Sequence, residues 1–152
     1  MRLRVVAVGR PRNTAIAQAI TDYEDRAGHY WPLEVREVKE ARSALPADVQ
    51  AAEWARLRDA AGAGATVVLC DASGARHDSA AFAAFVDRLR HDGRDAAFVI
   101  GGAFGLPDEA RHSANHVLNL APWTLPHELA RLVLAEQLYR AGTILRGEPY
   151  HK

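Results

Sequence analysis

Side chains suited to proton transfer and charge binding are densest in the last predicted helix and at the end of the chain. Imidazole groups exchange protons near neutral pH, so His127 is a candidate base, and Arg131, one turn later, is a candidate for stabilising negative charge. Glu136 and Arg140 have a spacing whose ion pair stabilises a helix by roughly 0.2–0.5 kcal/mol, and this structural role explains Glu136. The closing Tyr150-His151-Lys152 combines an aromatic ring, an imidazole and a cation. Chain ends usually fray, so this composition alone is a weak indication of function.

Three loops that follow predicted strands carry residues suited to a ligand pocket. They are Asp71-Ala72-Ser73-Gly74, Gly101-Gly102-Ala103-Phe104-Gly105 and Ala121-Pro122-Trp123-Thr124-Leu125-Pro126. In open α/β sheets, ligands bind beyond the carboxyl ends of the strands. Glycine there permits a sharp turn and a close approach of the ligand to the backbone. An isolated pair of glycines indicates only a turn, but three such loops at one sheet edge predict a pocket.

Common nucleotide-binding and hydrolase motifs are missing from the sequence. The first predicted strand runs into Gly9-Arg10-Pro11-Arg12, which matches neither the dinucleotide-binding glycine pattern nor a P-loop. The turn at 101–105 has the wrong glycine spacing and lacks the Lys-Ser/Thr pair that binds a triphosphate. No Gly-x-Ser-x-Gly elbow supports a Ser-His-Asp hydrolase. A kinase, a GTPase and an ordinary dehydrogenase are therefore disfavoured.

Metal-binding patterns are equally weak. His127-Glu128 begins like a zinc-protease helix, but Arg131 stands where the second histidine ligand belongs. His112 and His116 have helical spacing without a third ligand nearby, so exposed, unliganded histidines are the simpler interpretation. The single cysteine, Cys70, follows a predicted buried strand, which favours a small core thiol over a nucleophile and excludes an internal disulfide. We expect no metal.

Strand and helix patterns alternate along the chain. The predicted strands are Leu3–Val8, Leu33–Val38, 66–70, Ala96–Ile100 and 117–120. The predicted helices are 14–28, 47–61, 78–91, a short helix from Pro107, and a last helix from about Thr124 to Ile144, with Ser79 and Thr124 as N-caps. Apolar runs such as Val67-Val68-Leu69 are continuous, as in strands buried on both faces. The alternation predicts an α/β fold with a mostly parallel sheet flanked by helices.

Composition places the chain among ordinary globular proteins. Its 152 residues are 49% hydrophobic and 25% charged, enough for one domain spanning residues 1–152. Nineteen basic and nineteen acidic side chains give a net charge of zero, which argues against a broad electrostatic grip on nucleic acid or membrane. A local basic patch is still allowed, because the first twelve residues hold Arg2, Arg4, Arg10 and Arg12 without an acid. No run is apolar enough to span a bilayer, and no signal-peptide pattern precedes the first strand, so we expect a cytoplasmic protein.

Several segments together resemble a known family. They are 1–9, 69–74, 98–106, 124–131, 135–141 and 149–152, of which the Thr-Leu-Pro-His start of the last helix and the Tyr-His-Lys end are the specific ones. In order and over essentially the whole chain, they resemble the RlmH family, the bacterial ribosomal large-subunit pseudouridine N3-methyltransferases of the SPOUT class. The resemblance implies an α/β fold with a trefoil knot in the C-terminal half, an exception to the rule that chains avoid knots. It also implies a homodimer whose cofactor pockets lie at or near the subunit interface.

The resemblance implies S-adenosylmethionine as the cofactor. By that similarity, the cofactor is held by Leu69, Cys70, Asp71, Gly101, Gly102, Leu120, Ala121, Pro122, Trp123, Thr124 and Leu125. These loops are the ones already selected from the sheet edge. Cys70 stands where leucine is usual, Pro122 has no N–H to donate, and Phe104 is bulky for the glycine turn. A sulfonium methyl is already activated, so the reaction needs no metal.

The resemblance also suggests roles for the polar residues. The target imide must lose a proton, so His127 or His151 is the candidate base, and both alternatives stay open. Arg131 is the third candidate catalytic residue, through stabilisation of charge, and it is also a candidate for holding the RNA. Arg140, Tyr150, His151 and Lys152 are candidates for binding the RNA, with Tyr150 stacking on a base. Correct positioning of the methyl group can supply much of the catalysis.

Two other functions remain open from sequence. One is a different SPOUT methyltransferase with a tRNA or protein substrate, and the other is a non-enzymatic ribosome- or RNA-binding dimer. A small neutral chain without an added RNA-binding domain needs a large preformed target. We therefore expect the 23S rRNA of an assembled ribosome to be the substrate.

Overall fold

Five parallel strands form one sheet. The computed structural model describes residues 1–150. The strands are β1 (Leu3–Val8), β2 (Leu33–Val38), β3 (Thr66–Arg76), β4 (Ala96–Ile100) and β5 (His116–Asn119). The helices are α1 (Thr14–Gly28), α2 (Pro46–Ala61), α3 (Ser79–His91), α4 (Asp108–Ser113) and α5 (His127–Leu145). The strand order is β2-β1-β4-β3-β5 and every pairing is parallel, which confirms the predicted α/β class.

Helices cover both faces of the sheet. All residues of β1 and β4 are buried, as the continuous apolar run of β4 predicts. In β1 they include Arg4, whose guanidinium donates to Glu34 and Asp95. On one face, α1, α3 and α5 pack around Phe98 of β4. On the other face, Trp54 and Leu57 of α2 and Ala110 of α4 pack against Val6 and Val99. The three layers leave the carboxyl ends of the strands as one edge where loops converge.

The predicted N-caps of two helices are wrong. The side chain of Asp78, not Ser79, caps α3 by accepting a hydrogen bond from the Ala81 amide at 2.7 Å. Ser79 is the first helical residue, and its hydroxyl instead donates to Gln137 of α5 at 2.9 Å. The last helix begins at His127 after Pro126, without a side-chain cap, so Thr124 belongs to the preceding loop.

The third strand is longer than predicted, and the fifth is shifted by one residue. β3 continues past Cys70 to Arg76, with an irregularity between Cys70 and Ala75 where it pairs with β5. Gly74 makes this pairing possible, because an added Cβ there would lie 2.5 Å from the carbonyl carbon of Val117. The extension brings the segment after Cys70 alongside β5.

The trefoil knot that the family resemblance implies for the C-terminal half of the chain stays a prediction. Across residues 1–150, no helix is long and apolar enough to cross a membrane.

Candidate active site

A cleft of about 740 Å³ opens at the carboxyl edge of the sheet. This volume lies within the range of roughly 300–1,000 Å³ that is typical of small-molecule sites. Its walls come from the loops after β3, β4 and β5 and from the start of α5, and they include Cys70, Asp71, Gly101, Gly102, Phe104, Leu106, Asn119, Leu120, Ala121, Trp123, Thr124, Leu125, Pro126, His127 and Ala130. The three loops selected from sequence therefore converge on one cleft.

Two of the residues expected to bind the cofactor are not on the cleft wall. Leu69 is fully buried in the core on the α2 face of the sheet. Pro122 is not among the residues that line the cavity, although both its neighbours Ala121 and Trp123 are. Conversely, sequence reasoning missed Asn119, which ends β5. Its side-chain amide donates to the Ala72 carbonyl at 3.1 Å and its carbonyl accepts from the Ala121 amide at 3.0 Å, so it joins two loops of the cleft.

The turn after β4 is closely packed and held in place. An added Cβ at Gly101 would lie 2.8 Å from Cγ of Leu106. The Gly105 amide donates to the Gly102 carbonyl at 3.0 Å, and Gly105 has a φ of 72° that favours glycine. Gln50 of α2 donates to the Phe104 carbonyl at 2.6 Å. The cleft wall at this point is a fixed piece of backbone.

Asp71 anchors the loop after the regular part of β3. Arg111 of α4 donates to both of its carboxylate oxygens, at 3.1 and 2.9 Å. The backbone and hydroxyl of Ser73 donate to the same carboxylate at 3.0 and 2.6 Å. Burial acts to raise the pKa of Asp71, but the hydrogen bonds from Arg111 and Ser73 outweigh it and lower the pKa below its ordinary value. The side chain holds the loop in shape, and its charge is compensated by Arg111.

Cys70 behaves as the core thiol that its sequence context predicts. Burial, and then the neighbouring Asp71 charge, raise its pKa to about 12. A thiol with this pKa is protonated at neutral pH. Cys70 therefore contributes shape to the cleft and is not a nucleophile.

Replacing Asp71 with asparagine is expected to lower the free energy of unfolding at neutral pH by roughly 1.5–3 kcal/mol, the range for a hydrogen bond to a charged group. Because the pKa of Asp71 is lowered in the folded state, its contribution is present above the unfolded pKa of about 3.9 and disappears as pH falls through the folded value. Urea unfolding of both proteins across the acid range measures this. Asp108→Asn is the matched control, since Asp108 contacts the same Arg111 but is 90% exposed. If the difference in free energy of unfolding between the wild type and the Asp71→Asn variant did not depend on pH, the lowered pKa of Asp71 would be contradicted.

The two candidate residues at the start of α5 both border a small crevice beside the cleft, but only His127 of the two lies on the wall of the cleft itself. Arg131 is buried, and its guanidinium donates to Glu24 of α1 at 2.8 and 3.2 Å and to Glu37 of β2 at 3.1 Å. Burial acts to lower the pKa of Arg131, but the hydrogen bonds that its guanidinium donates to Glu24 and Glu37 outweigh this effect and raise the pKa above its ordinary value. These contacts indicate a structural role for Arg131, and a catalytic role for it stays a prediction.

The residues expected to bind RNA lie at the far end of α5. Arg140 pairs with Glu136 at 2.9 and 2.6 Å, which confirms the predicted pair. Tyr150 donates to Glu136 at 3.0 Å, and its ring lies 4.8 Å from the Arg140 guanidinium carbon. Roughly 20 Å of helix separates Arg140 from His127, at about 1.5 Å per residue. The candidate residues His151 and Lys152 lie outside the described residues.

No cluster of three or more histidine, cysteine, aspartate or glutamate side chains within residues 1–150 is arranged to hold a metal ion.

Comparison with known proteins identifies the family to which this chain belongs. A family model described as "Predicted SPOUT methyltransferase" matches residues 1–151. The chain therefore belongs to the SPOUT methyltransferase family, as its resemblance predicts.

The chain is also similar to individual named proteins over nearly its full length. The chain is 56% identical to the ribosomal RNA large subunit methyltransferase H of Gemmatimonas aurantiaca, over 100% of both chains. It is 48% identical to the protein of the same name from Nitratidesulfovibrio vulgaris, over 98% of this chain and 97% of the relative. Among solved structures, a probable methylase family protein from Haemophilus influenzae has a TM-score of 0.60 at 14% identity, covering 99% of this chain and 70% of the other. A probable methyltransferase from Bordetella pertussis has a TM-score of 0.58 at 17% identity, covering 92% and 95%. The two structures support the fold.

Proposed function

We propose that this protein is an S-adenosylmethionine-dependent methyltransferase of the large ribosomal subunit that methylates N3 of a pseudouridine in 23S rRNA. The observation that carries the proposal is the full-length match, at 56% identity, to a relative named ribosomal RNA large subunit methyltransferase H. The cleft at the carboxyl edge of the sheet adds a site of suitable size. An rRNA substrate also supports a cytoplasmic location.

The cleft residues fit the proposed cofactor. Gly101 has no side chain, so its backbone forms part of the cavity wall. A Cβ at this position would require Leu106 to move. Apolar residues such as Leu120 and Leu125 supply a surface for the flat adenine ring of the cofactor. The backbone of the loops supplies polar groups that can bind its polar atoms. When bound, S-adenosylmethionine supplies an activated methyl group on a sulfonium. The protein's part is to bind, orient and exclude water.

His127 is the described residue best placed to receive the imide proton. It lies on the cleft wall and is the first residue of α5. The end of this helix therefore fixes its position, together with the preceding loop. A positioned base contributes about 10²–10⁴-fold to such a reaction. His151 is the alternative base.

A homodimer completes the proposed site. Arg140 and Tyr150 are tied to Glu136 far along α5 from the cleft of the same protomer. A second copy can bring its own end of α5, with the residues that follow, to this cleft. This arrangement supports a composite site in which one protomer binds the cofactor and the other contributes contacts to RNA.

Arg10 and Arg12 are placed to contact phosphate beside the cleft. The segment at 9–11 borders a small crevice shared with Gly101 and His127. The two arginine side chains are 90% and 81% exposed, and their ion pairs with Glu37 and Glu40 are correspondingly weak. Two exposed guanidinium groups therefore lie beside the cleft, next to the carboxylates of Glu37, Glu40 and Glu128.

Replacing Arg10 and Arg12 together with glutamine is expected to weaken ribosome binding and to reduce the slope of log affinity against log salt by about 2, roughly one unit per lost phosphate contact. Cofactor affinity should not change. Titration with ribosomes at several salt concentrations measures the slope. Arg2→Gln is the control, because Arg2 precedes β1 at the opposite end of the strands. An unchanged slope in the double variant would place the RNA elsewhere.

Methyl transfer to ribosomes that lack this modification tests the proposed function. Labelled S-adenosylmethionine, followed by mass mapping of the 23S rRNA, should locate one new methyl group on a pseudouridine. Efficient methylation of tRNA or of a short naked hairpin would favour a different SPOUT enzyme. Saturable ribosome binding without cofactor binding or transfer would favour a non-enzymatic role.

A further inference from the structure

A buried carboxylate lies directly behind the wall of the cleft. Glu53 of α2 is 1% exposed. Its Oε2 accepts a hydrogen bond from the Ala41 amide at 3.0 Å. Within the 1–150 stretch, nothing donates to its Oε1, and Glu53 forms no ion pair there. Buried polar groups are rarely left without a partner, and the exceptions often have a functional reason.

The unpaired oxygen faces the turn that lines the cleft. An added Cβ at Gly102 would lie 2.7 Å from Oε1 of Glu53 and 3.2 Å from Val8. Gly102 itself lines the cavity. The carboxyl group is therefore separated from the cleft by the backbone of a single residue.

The other carboxylate at the cleft differs in this respect. Asp71 also lines the cavity, but Arg111 neutralises it through two hydrogen bonds. Within residues 1–150, Glu53 by contrast forms no ion pair, so a cation bound in the cleft can compensate its carboxylate. A carboxylate in this position favours a cationic ligand over a neutral ligand of the same shape.

We infer that Glu53 is a specificity-determining residue that makes the cleft prefer the sulfonium form of the cofactor over the uncharged thioether product. The inference rests on the proposed function, because only that function puts a sulfonium in the cleft. Glu53 does not touch the reacting atoms. Its carboxyl group, behind Gly102, favours bound S-adenosylmethionine over S-adenosylhomocysteine, which has lost the positive charge together with the methyl group.

Calorimetric titration of the Glu53→Gln variant with both ligands tests the inference. The variant should lose about tenfold in its preference for S-adenosylmethionine over S-adenosylhomocysteine, as expected for one unit charge acting over roughly 10 Å at an effective dielectric constant of about 20. A merely structural role would weaken both ligands equally and leave the ratio unchanged, which would overturn the inference. Since the ratio compares two ligands on the same folded molecules, partial loss of stability does not affect it.

Two further variants serve as a control and as an independent repeat of the test. Glu40→Gln is the matched control, because Glu40 adjoins Ala41 but is 47% exposed and paired with Arg12, and it should retain the wild-type ratio. Glu53→Met, neutral and of similar length, should reproduce the change seen with glutamine, so the test does not depend on one variant folding. A wild-type protein that prefers the thioether would also overturn the role of Glu53. A wild-type protein that binds neither ligand would instead overturn the proposed function, and this inference with it.

Discussion

Replacing Gly101 with tryptophan is expected to weaken S-adenosylmethionine binding by at least about 100-fold, or roughly 2.7 kcal/mol. Even a Cβ at this position would lie 2.8 Å from Leu106 and 3.2 Å from the Gly105 backbone. Leu106 is buried, and Gly105 is fixed by its hydrogen bond to Gly102, so an indole at position 101 must displace the turn that forms this part of the cleft wall. Calorimetric titration with the cofactor gives the affinity directly.

Gly28→Trp is the matched control for this substitution. It makes the same chemical change at an exposed glycine in α1, where an added Cβ meets nothing within 4 Å. The control should bind the cofactor like the wild type. If the Gly101→Trp variant has a cooperative unfolding transition and nevertheless binds with wild-type affinity, the cofactor site is not in this cleft.

Local patterns were sufficient to predict the elements that build the cleft. The bounds of β1, β2, β4 and α1 agree with those predicted from apolar runs and helical spacing. These segments carry their structural signal within a few consecutive residues. The carboxyl ends of parallel strands must share one edge, so the convergence of the three loops followed from the fold class.

Long-range contacts explain what local patterns could not predict. The extension of β3 depends on the close approach of Gly74 to Val117 in β5. Asp78 and Ser79 are both good capping residues, and the choice between them is linked to the bond between Ser79 and Gln137, 58 residues away. Neither contact has a signature in the neighbouring sequence.

Arg131 illustrates the same limit at the candidate site. Its position one turn after His127 suggested a role in charge stabilisation. The two glutamates that surround its guanidinium are 107 and 94 residues away in the chain. Only the tertiary structure shows that the arginine joins α5 to α1 and β2.

Replacing Arg131 with methionine is expected to lower the free energy of unfolding by about 3–5 kcal/mol, because removing one partner of a buried ion pair leaves uncompensated charge. The Arg131 side chain is 6% exposed and that of Glu24 is 11% exposed, so solvent cannot replace the lost contact. Urea denaturation measures the loss. Arg58→Met, which breaks an exposed pair with Glu109, should cost less than about 1 kcal/mol.

Adding Glu24→Gln to the Arg131→Met variant should restore part of the lost stability, since the double change also removes the more buried of the two carboxylates that lose Arg131, Glu24 and Glu37. Methyl transfer then separates the two interpretations of Arg131. If the arginine is structural, the double variant regains activity in proportion to its folded fraction. If the double variant is stable and binds the cofactor but transfers no methyl group, Arg131 acts in the chemistry, and its ion pairs with Glu24 and Glu37 serve to hold it beside His127.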